Sequence, residues 1–379
     1  MIIGTIKEIK NNENRVALTP ENVKKLVLLN NEVLIEKNAG IGSGFTNKEY
    51  EENGAKILKD PKEIVSKIDL LVKVKEPIEE EYYLLDIMKN KTLFTYLHLA
   101  AAPKELTLKL MENKITAIAY ETVEDEFKNL PLLKPMSEVA GVLAVQYGCQ
   151  FMQKKYGGIG KTLGKITNAD SANVLIVGGG IVGSKSALTA AGLGCNVTIL
   201  EINKERINSL KNEFLKYLGE ELFSNVNFVE SNTINISKET KKADLLIGAV
   251  LVKGAKAPTI INEEHLNNMK KGCVIVDVAI DQGGCIYGSK PTTHEKPIYE
   301  FKDKIYCCIT NMPGQVSMQS TQALSNVVFP YIKKMSEDGI IELLKKDINF
   351  LKGLNVYNGK LVNEQISDAL NIEYSNVIF

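Results

Sequence analysis

The sequence has no excess of either charge, since 46 Lys and Arg residues balance 46 Asp and Glu residues in a chain of 379. Proteins that bind nucleic acids or anionic membranes usually carry a basic patch or tail, so this balance argues against both kinds of partner. No apolar run reaches the roughly 18 residues of a membrane span, and Met1–Glu8 is typical of a short strand rather than a signal peptide. With 24% charged and 44% hydrophobic residues, the composition predicts an ordinary soluble globular protein.

Cysteine also lacks the patterns that give it a structural role. None of the six cysteines has a Cys-x-x-Cys neighbour, and no histidine stands at a zinc-finger interval from one. We therefore expect reduced thiols in a cytoplasmic protein, with neither a disulfide framework nor a metal site.

What the sequence does contain is a strand that runs into a Gly-x-Gly-x-x-Gly turn. Val174–Val177 is an unbroken apolar run, which is typical of a strand buried on both faces of a parallel sheet. Gly178 permits the tight turn, Gly180 lets the backbone approach a pyrophosphate, and Gly183 lets the next helix pack close to the strand. Glu201 ends the next predicted strand at about the 20-residue distance expected for an acid that binds ribose. The pattern predicts a dinucleotide site, and its alternative is a Gly-rich corner without a ligand.

The acid also indicates which dinucleotide is bound. A carboxylate at Glu201 can accept hydrogen bonds from both ribose hydroxyls and would repel a 2′-phosphate, which favours NAD over NADP. Arg206 follows closely, and because a cation could tolerate that phosphate, it weakens the prediction slightly.

Strands alternate with helices along most of the chain, which predicts βαβ units and parallel sheets. We expect an α/β protein with two doubly wound domains, in which a Rossmann domain is inserted into a parallel-sheet substrate domain and long helices join the two. The predicted boundaries are 1–134 for the first part of the substrate domain, 135–316 for the Rossmann domain and 317–379 for a helical return. Two crossings between domains predict a hinge and a ligand cleft. The predicted strands are Ile2–Ile6, Val33–Glu36, Lys56–Leu58, Leu70–Val74, Thr92–Leu97, Thr116–Tyr120, 174–177, 196–201, 226–229, 243–248, 273–278 and 305–309.

Functional residues in open parallel sheets lie just past the carboxyl ends of strands. Lys73 and Lys75 stand at the end of one predicted strand and alternate onto the same face. Either could bind a carboxylate or carbonyl oxygen; the alternative is a solvated strand end. His98 follows the next strand and could act as an acid or base near neutral pH, or it could be a buried histidine with local partners. His265 and His294, the other two histidines, have polar neighbours and are expected on the surface.

Two further candidates are an acid and an arginine. Asp281 stands beyond a buried strand and next to a Gly pair, where either a catalytic carboxylate or a turn-capping residue is plausible. Arg15 follows the first strand, and its planar fork could bind a carboxylate at two points, although an arginine in a polar loop is usually only solvated. The acidic run Glu121–Glu126 is expected to face solvent.

Taken in order, these stretches resemble the alanine dehydrogenase family across nearly the whole chain. Glu201 stands where that family usually has Asp, and 316–321 and 162–170 depart from its pattern. The matching segments are Lys7–Glu8, Asn11–Pro20, Leu70–Pro77, Phe94–Ala101, Ala119–Thr122, Pro135–Gly141, Gly178–Gly183, Ile247–Val252, Gly254–Pro258, Val276–Gly284 and Asn311–Gly314.

The resemblance implies an NAD-linked enzyme that converts L-alanine reversibly to pyruvate and ammonium and forms a homohexamer. It implies that Arg15 and Lys75 bind the substrate, that His98 is the acid and base, and that Asp281 assists proton transfer. It also implies a set of cofactor residues, which includes the glycine turn. They are Ser137, Gly178, Gly180, Ile181, Val182, Gly183, Glu201, Arg206, Ser231, Val250, Leu251, Asp281, Asn311, Met312 and Pro313.

Two other functions remain open at this point. One is a soluble NAD(H)-binding subunit of a transhydrogenase, although such a subunit has no reason to keep both His98 and Lys75. The other is a dehydrogenase for a larger amino acid, which a substrate screen would distinguish.

Overall fold

The computed structural model describes residues 1–252, 257–377 and 379. Residues 254–256 of the family-like segment Gly254–Pro258 lie outside the described residues. The described chain divides into two compact units, one of Met1–Met136 with Gly314–Phe379 and the other of Ser137–Pro313. The second unit is therefore an insertion in the sequence of the first.

Strands occur along both units. In chain order they are β1 (Ile2–Thr5), β2 (Glu32–Glu36), β3 (Lys56–Leu58), β4 (Leu70–Val72), β5 (Thr92–Thr95), β6 (Thr116–Ala119), β7 (Asn173–Val177), β8 (Asn196–Glu201), β9 (Val226–Glu230), β10 (Leu245–Gly248), β11 (Val274–Asp277), β12 (Tyr299–Phe301), β13 (Lys304–Cys307), β14 (Leu354–Tyr357) and β15 (Lys360–Leu361).

Helices connect most of these strands. They are α1 (Pro20–Leu28), α2 (Asn47–Glu52), α3 (Pro61–Lys67), α4 (Tyr82–Ile87), α5 (Lys104–Glu112), α6 (Lys134–Phe151), α7 (Ile181–Gly192), α8 (Lys204–Phe223), α9 (Thr233–Thr240), α10 (Glu263–Asn267), α11 (Ser317–Asp338), α12 (Ile340–Lys346), α13 (Ile348–Leu351) and α14 (Glu364–Leu370). No helix in the described part of the chain has the length and apolarity needed to cross a membrane.

The first unit is built on a sheet with the strand order β15-β14-β6-β5-β4-β1-β2-β3. Strands β1 to β6 are parallel, whereas β14 and β15 join the sheet in antiparallel fashion. Residues such as Leu71, Leu93 and Ala117 carry its core. The carboxyl ends of β1, β4, β5 and β6 meet at one edge of this sheet, so the residues that follow these four strands are brought together.

The second unit is built on a sheet with the order β12-β13-β11-β10-β7-β8-β9. All its pairs are parallel except that of β12 with β13. Strand β7 lies between β10 and β8, and Leu246 of β10 and Ile199 of β8 are fully buried. Both sheets are mainly parallel, which confirms the prediction of an α/β protein with two doubly wound sheets.

Element boundaries differ from the predictions where side chains compete for the backbone. Strand β4 ends at Val72 and β5 at Thr95, each two residues before the predicted end. In the predicted helical return, α12 and α13 are two separate helices, because the Asp347 side chain accepts the N–H groups of Asn349 and Phe350. The short helix α4, the edge strand β12 and the hairpin of β14 and β15 were not predicted.

His265 is not on the surface, contrary to the prediction. It is 5% exposed at the start of α10, where its Nδ1 accepts the N–H of Asn262 and its Nε2 bonds the Ser237 hydroxyl. Burial lowers the pKa of this imidazole. Its role is therefore to complete a capping box at a helix terminus.

Candidate active site

Lys73, the first lysine after β4, is buried in the first unit. Its side chain is 1% exposed, and its Nζ lies 3.1 Å from Glu8 Oε2 and 2.6 Å from Glu81 Oε1. Burial acts to lower the pKa of Lys73, but the two carboxylates outweigh it and raise the pKa above its ordinary value. Burial raises the pKa of Glu8 to about 7, against the attraction of Lys73. The alternative prediction of a solvated strand end is thus wrong for Lys73.

Lys75, two residues later, is half-buried beside Glu76. Its carbonyl oxygen accepts a hydrogen bond of 3.0 Å from the Thr95 hydroxyl on the neighbouring strand. Burial would raise the pKa of Glu76, but Lys75 and Lys10 outweigh it and lower that pKa. Lys75 is therefore the lysine of the pair that is not enclosed by the core.

Arg15 is a buried cation, not the solvated arginine that its polar loop allows. It is 2% exposed and forms a two-point pair with Glu13, with Nε to Oε1 at 2.7 Å and Nη2 to Oε2 at 2.5 Å. Its Nη1 donates to the sulfur of Met136 at 3.0 Å. Burial opposes the charge, but Glu13 outweighs it and raises the pKa of Arg15. The Glu13 pair fixes the plane of the guanidinium group.

His98 lies past β5 in a backbone conformation that is unusual for a residue with a side chain. Its φ is +46°, and its N–H donates to Glu121 Oε1 at 2.6 Å. The imidazole stacks on the Tyr96 ring, with centroids 5.6 Å apart and planes 3° apart, and the Tyr96 hydroxyl donates to the Leu132 carbonyl. The imidazole is still 40% exposed, with Nδ1 3.9 Å from Glu121 Oε1. It is oriented by neighbours yet accessible, unlike a core histidine.

Glu121 is a residue of this site to which the sequence assigned no role. Its side chain is only 12% exposed and also accepts the N–H of Leu97 at 3.2 Å, so the prediction of a solvated acidic run is wrong at this residue. Strand order is the signal that could have found it. Glu121 and His98 follow β6 and β5, which are adjacent parallel strands, and their carboxyl ends share an edge.

The glycine turn of the second unit follows β7 as predicted. Gly178 has φ of +102°, and a Cβ on Gly183 would lie 1.8 Å from the Gly178 carbonyl oxygen. A Cβ on Gly180, by contrast, would meet nothing within 4 Å. Helix α7 begins at Ile181, and Val182 follows, with no side chain capping the N-terminus. The turn leaves backbone N–H groups and open space at the place where a pyrophosphate is expected.

Glu201 ends β8 beside that turn. Its Oε2 accepts the Gly179 N–H at 2.7 Å, and its Oε1 accepts the Asn203 N–H at 2.9 Å. The Arg206 Nε donates to the Gly179 carbonyl at 2.9 Å, so the arginine is tied to the turn. The half-buried acid, the turn and the open helix terminus fit the predicted adenosine and pyrophosphate groups of a dinucleotide.

Asp277, the last residue of β11, and Asp281, four residues later, have different surroundings. Asp277 is fully buried and accepts from the N–H groups of Ala279, Cys285 and Ile286 and from the Ser289 hydroxyl, at 2.6 to 3.1 Å. Burial raises its pKa, against these hydrogen bonds. Asp281 lies on the 3-10 helix Val278–Gln282 and is exposed. The capping role that the sequence allowed for Asp281 therefore belongs to Asp277.

The remaining predicted cofactor residues also belong to the second unit. The Ser231 N–H donates to the Glu201 carbonyl at 2.9 Å, just past β9. Gln282 bonds both the N–H and the carbonyl of Val252, which brings the Val250 and Leu251 segment to the helix of Asp281. Ser137 and the segment Asn311, Met312 and Pro313 lie at the two chain ends of this unit, and the Met312 side chain is 2% exposed.

Comparisons with known proteins match both units. The N-terminal domain of the family described as Alanine dehydrogenase/PNT matches residues 4–140, and its C-terminal domain matches residues 144–364. The chain belongs to the alanine dehydrogenase/PNT family. The two family domains do not coincide with the two units, because residues 314–364 match the C-terminal domain and yet belong to the first unit.

Individual members of the alanine dehydrogenase/PNT family match along their full length. An alanine dehydrogenase of Methanococcus maripaludis is 46% identical over 99% of this chain and 98% of its own, and one of Bacillus subtilis is 46% identical over 99% and 96%. A solved L-alanine dehydrogenase structure has a TM-score of 0.91 at 43% identity, covering 98% of this chain and 99% of that one. A solved transhydrogenase structure from Sinorhizobium meliloti, at 21% identity and a TM-score of 0.79, supports the fold alone.

Proposed function

We propose that the protein is an NAD-dependent L-alanine dehydrogenase, which converts L-alanine reversibly to pyruvate and ammonium. The observation that carries the proposal is the 46% identity to a curated alanine dehydrogenase over 99% of the chain. The candidate site supports it independently, because two cations and an accessible imidazole follow strands that share one sheet edge.

Arg15 and Lys75 would bind the substrate. A carboxylate needs cations, and the planar fork of an arginine suits it well. The Arg15 Nη1 group donates to a thioether, which is a weak acceptor. A substrate carboxylate is a stronger acceptor and would replace the sulfur, while the Glu13 pair keeps the guanidinium in place. Lys75 would hold the carbonyl oxygen of pyruvate.

His98 and Asp281 would move the protons. Oxidation at Cα gives an imine, water adds to it, and the resulting C–N bond breaks to release ammonia, so protons must leave the water oxygen and reach the nitrogen. A neutral imidazole can accept and return such protons near pH 7. The Glu121 bond to the His98 backbone supports this role, because it fixes the imidazole at a defined place.

NAD, when bound, would accept the hydride from Cα of alanine. Gly178, Gly180, Ile181, Val182 and Gly183 would hold its pyrophosphate, and Glu201 its adenosine ribose. The other residues of this site would be Ser137, Arg206, Ser231, Val250, Leu251, Asn311, Met312 and Pro313. The proposed substrate residues Arg15 and Lys75 belong to the first unit, and the proposed cofactor residues belong to the second.

The family resemblance also supports a homohexamer that works in the cytoplasm. Six unpaired cysteines accord with a reducing compartment. Light scattering of the purified protein would give the oligomeric state directly, and a mass other than that of six chains would contradict this part of the proposal.

The test is NADH oxidation with pyruvate and ammonium, each omitted in turn. We expect loss of NADH only when both are present. His98→Ala should lower kcat by roughly 10²–10⁴-fold while NADH still binds, as followed by its fluorescence. No turnover by the wild-type protein, with NADH bound, would contradict the proposed substrate and call for a screen of other 2-oxo acids.

A further inference from the structure

The proposed reaction gives no part to the buried ion cluster beyond the end of β4. Lys73 and Glu81 are 1% and 6% exposed at their side chains, and Glu8 is 3% exposed. The cluster consists of two carboxylates and one ammonium group. The Glu13 and Arg15 pair lies close to it, since Glu13 helps to raise the pKa of Glu8 and Glu8 helps to raise the pKa of Arg15. The fold has thus placed several charges inside the first unit, out of contact with water.

Stability does not explain such a cluster well. Removing two charges from water costs about as much as their attraction returns, so packed apolar residues of the same volume are often as stable. Buried charges can instead fix one geometry, because each partner has only one place where its hydrogen bonds are satisfied.

The cluster holds the backbone on both sides of Lys75. Glu8 Oε1 accepts the N–H of Val74 at 2.7 Å, while its Oε2 lies 3.1 Å from Lys73 Nζ. Glu81 Oε2 accepts the N–H of Ile78 at 3.1 Å, while its Oε1 accepts from Lys73 Nζ at 2.6 Å. Lys73 therefore joins the two carboxylates that hold the chain just before and just after Lys75.

Neighbouring strands complete this support. The Tyr96 N–H donates to the Val74 carbonyl at 3.3 Å, and the Thr95 hydroxyl donates to the Lys75 carbonyl at 3.0 Å. Strand β4 has already ended at Val72, so the regular ladder does not fix Lys75. The position of Lys75 therefore depends on these individual hydrogen bonds. The cluster supplies two of them, through Glu8 and Glu81.

We infer that Lys73 is a positioning residue for substrate binding, which acts through Glu8 and Glu81 to set where Lys75 presents its ammonium group. The inference rests on the proposed function, since it takes Lys75 to bind the 2-oxo acid. Glu8 extends the effect toward Arg15, because it lies on the same loop after β1 as the Glu13 and Arg15 pair.

The test is the pyruvate KM of Lys73→Met, which keeps the length of the side chain and removes its charge. We expect KM to rise roughly 10- to 100-fold, because small misplacements of a binding group have effects of this size, while the NADH affinity stays unchanged. Lys56→Met is the matched control, because it removes the same charge from an exposed ion pair with Glu32 in the same sheet. Lys73→Arg keeps the charge, and its KM should lie nearer to that of the wild type.

A purely structural role predicts a different result. Loss of folded protein lowers the active fraction, and so the apparent kcat, but leaves KM unchanged in the molecules that remain folded. An unchanged pyruvate KM in Lys73→Met would overturn the inference. If that variant does not fold, the KM values of Glu8→Gln and Glu81→Gln decide, because each removes one of the carboxylates that Lys73 joins, and wild-type values in both would overturn the inference. Absence of turnover in the wild type would instead refute the proposed function, and the inference with it.

Discussion

The ends of β4 and β11 show two ways to bury a charge close to a residue that we propose to contact the substrate. Two residues of like charge stand at the end of each strand, Lys73 and Lys75 in one unit and Asp277 and Asp281 in the other. In both pairs the first residue is buried and the second is not. The two buried residues differ in their partners, because Lys73 is bound by two carboxylates and Asp277 by uncharged donors.

The difference follows from what a chain can supply locally. A tight turn directs several backbone N–H groups to one point, so 279–289 alone can satisfy a carboxylate. An ammonium group in the core needs acceptors and a compensating charge, and these come from Glu8, 65 positions before Lys73, and from Glu81. The acid is held by its own loop, whereas the lysine ties distant parts of the unit together.

Replacing the second residue of each pair, Lys75 or Asp281, should have the largest effect on activity. We expect Lys75→Met and Asp281→Asn each to lower kcat/KM for pyruvate by roughly 10²–10⁴-fold, because each removes a group proposed to touch substrate. Their urea midpoints should stay close to that of the wild type, since neither side chain is part of the core. Activity near the wild-type value in either variant would remove that residue from the proposed mechanism.

Exchanging the first member should instead reduce stability. Lys73→Met leaves two buried carboxylates without their cation, which should cost about 3–5 kcal/mol. Asp277→Asn turns an amide toward several donors and should cost about 1–3 kcal/mol. Urea unfolding measures both, and Lys56→Met and Asp303→Asn are exposed controls expected to stay within about 0.5 kcal/mol of the wild type. A larger loss for Asp277→Asn than for Lys73→Met would reverse the comparison.

The cluster of Lys73, Glu8 and Glu81 should also make the stability of the protein depend on pH, through Glu8. Glu8 has a pKa of about 7 in the folded protein and a normal value of 4.5. Its protonation therefore favours the folded state at low pH, and this contribution is lost as pH rises from about 4.5 through 7. Glu8→Gln removes the titration, so the stability difference between wild type and variant should shift by roughly 1–3 kcal/mol over that range.

The measurement is the unfolding free energy of both proteins at several pH values from 4.5 to 8. We expect the wild type to lose stability relative to Glu8→Gln as the pH is raised. A difference that does not change with pH would mean that Glu8 titrates normally in the folded state.

The smallest expected effect concerns Glu201, whose single side chain has both a structural role and a proposed binding role. It holds the Gly179 N–H and is proposed to bind ribose. Glu201→Gln can still accept from Gly179 but loses its charge, so we expect the preference for NADH over NADPH to fall by about tenfold with little loss of stability. The ratio of kcat/KM for the two cofactors measures this, and an unchanged ratio would place selectivity elsewhere.

Periodic patterns predicted most of the fold. The apolar run before Gly178 and the alternation of strands with helices gave the two parallel sheets, because buried parallel strands have a recognisable composition. What was missed has weak local signals. Strands β12 and β15 have three and two residues, and their pairing depends on neighbours that are remote in sequence or already ordered.

The site was predicted in part, and the reason lies in sequence separation. Residue type and position after a strand indicated Lys75, His98 and Asp281 as candidates. Residue type and position could not show that the Glu121 side chain accepts the backbone N–H of His98. That hydrogen bond forms only when β5 and β6 are adjacent.

The sequence by itself determined the α/β class, the glycine turn with its acid, and the two charged pairs at strand ends, because these depend on short-range spacing. Only the tertiary structure decided which member of each pair is buried. Lys73 and Lys75 are the same residue type two positions apart, and what separates them is that Glu8 and Glu81 converge on one of them. Burial of a charge depends on partners brought from elsewhere in the fold, and local sequence does not encode them.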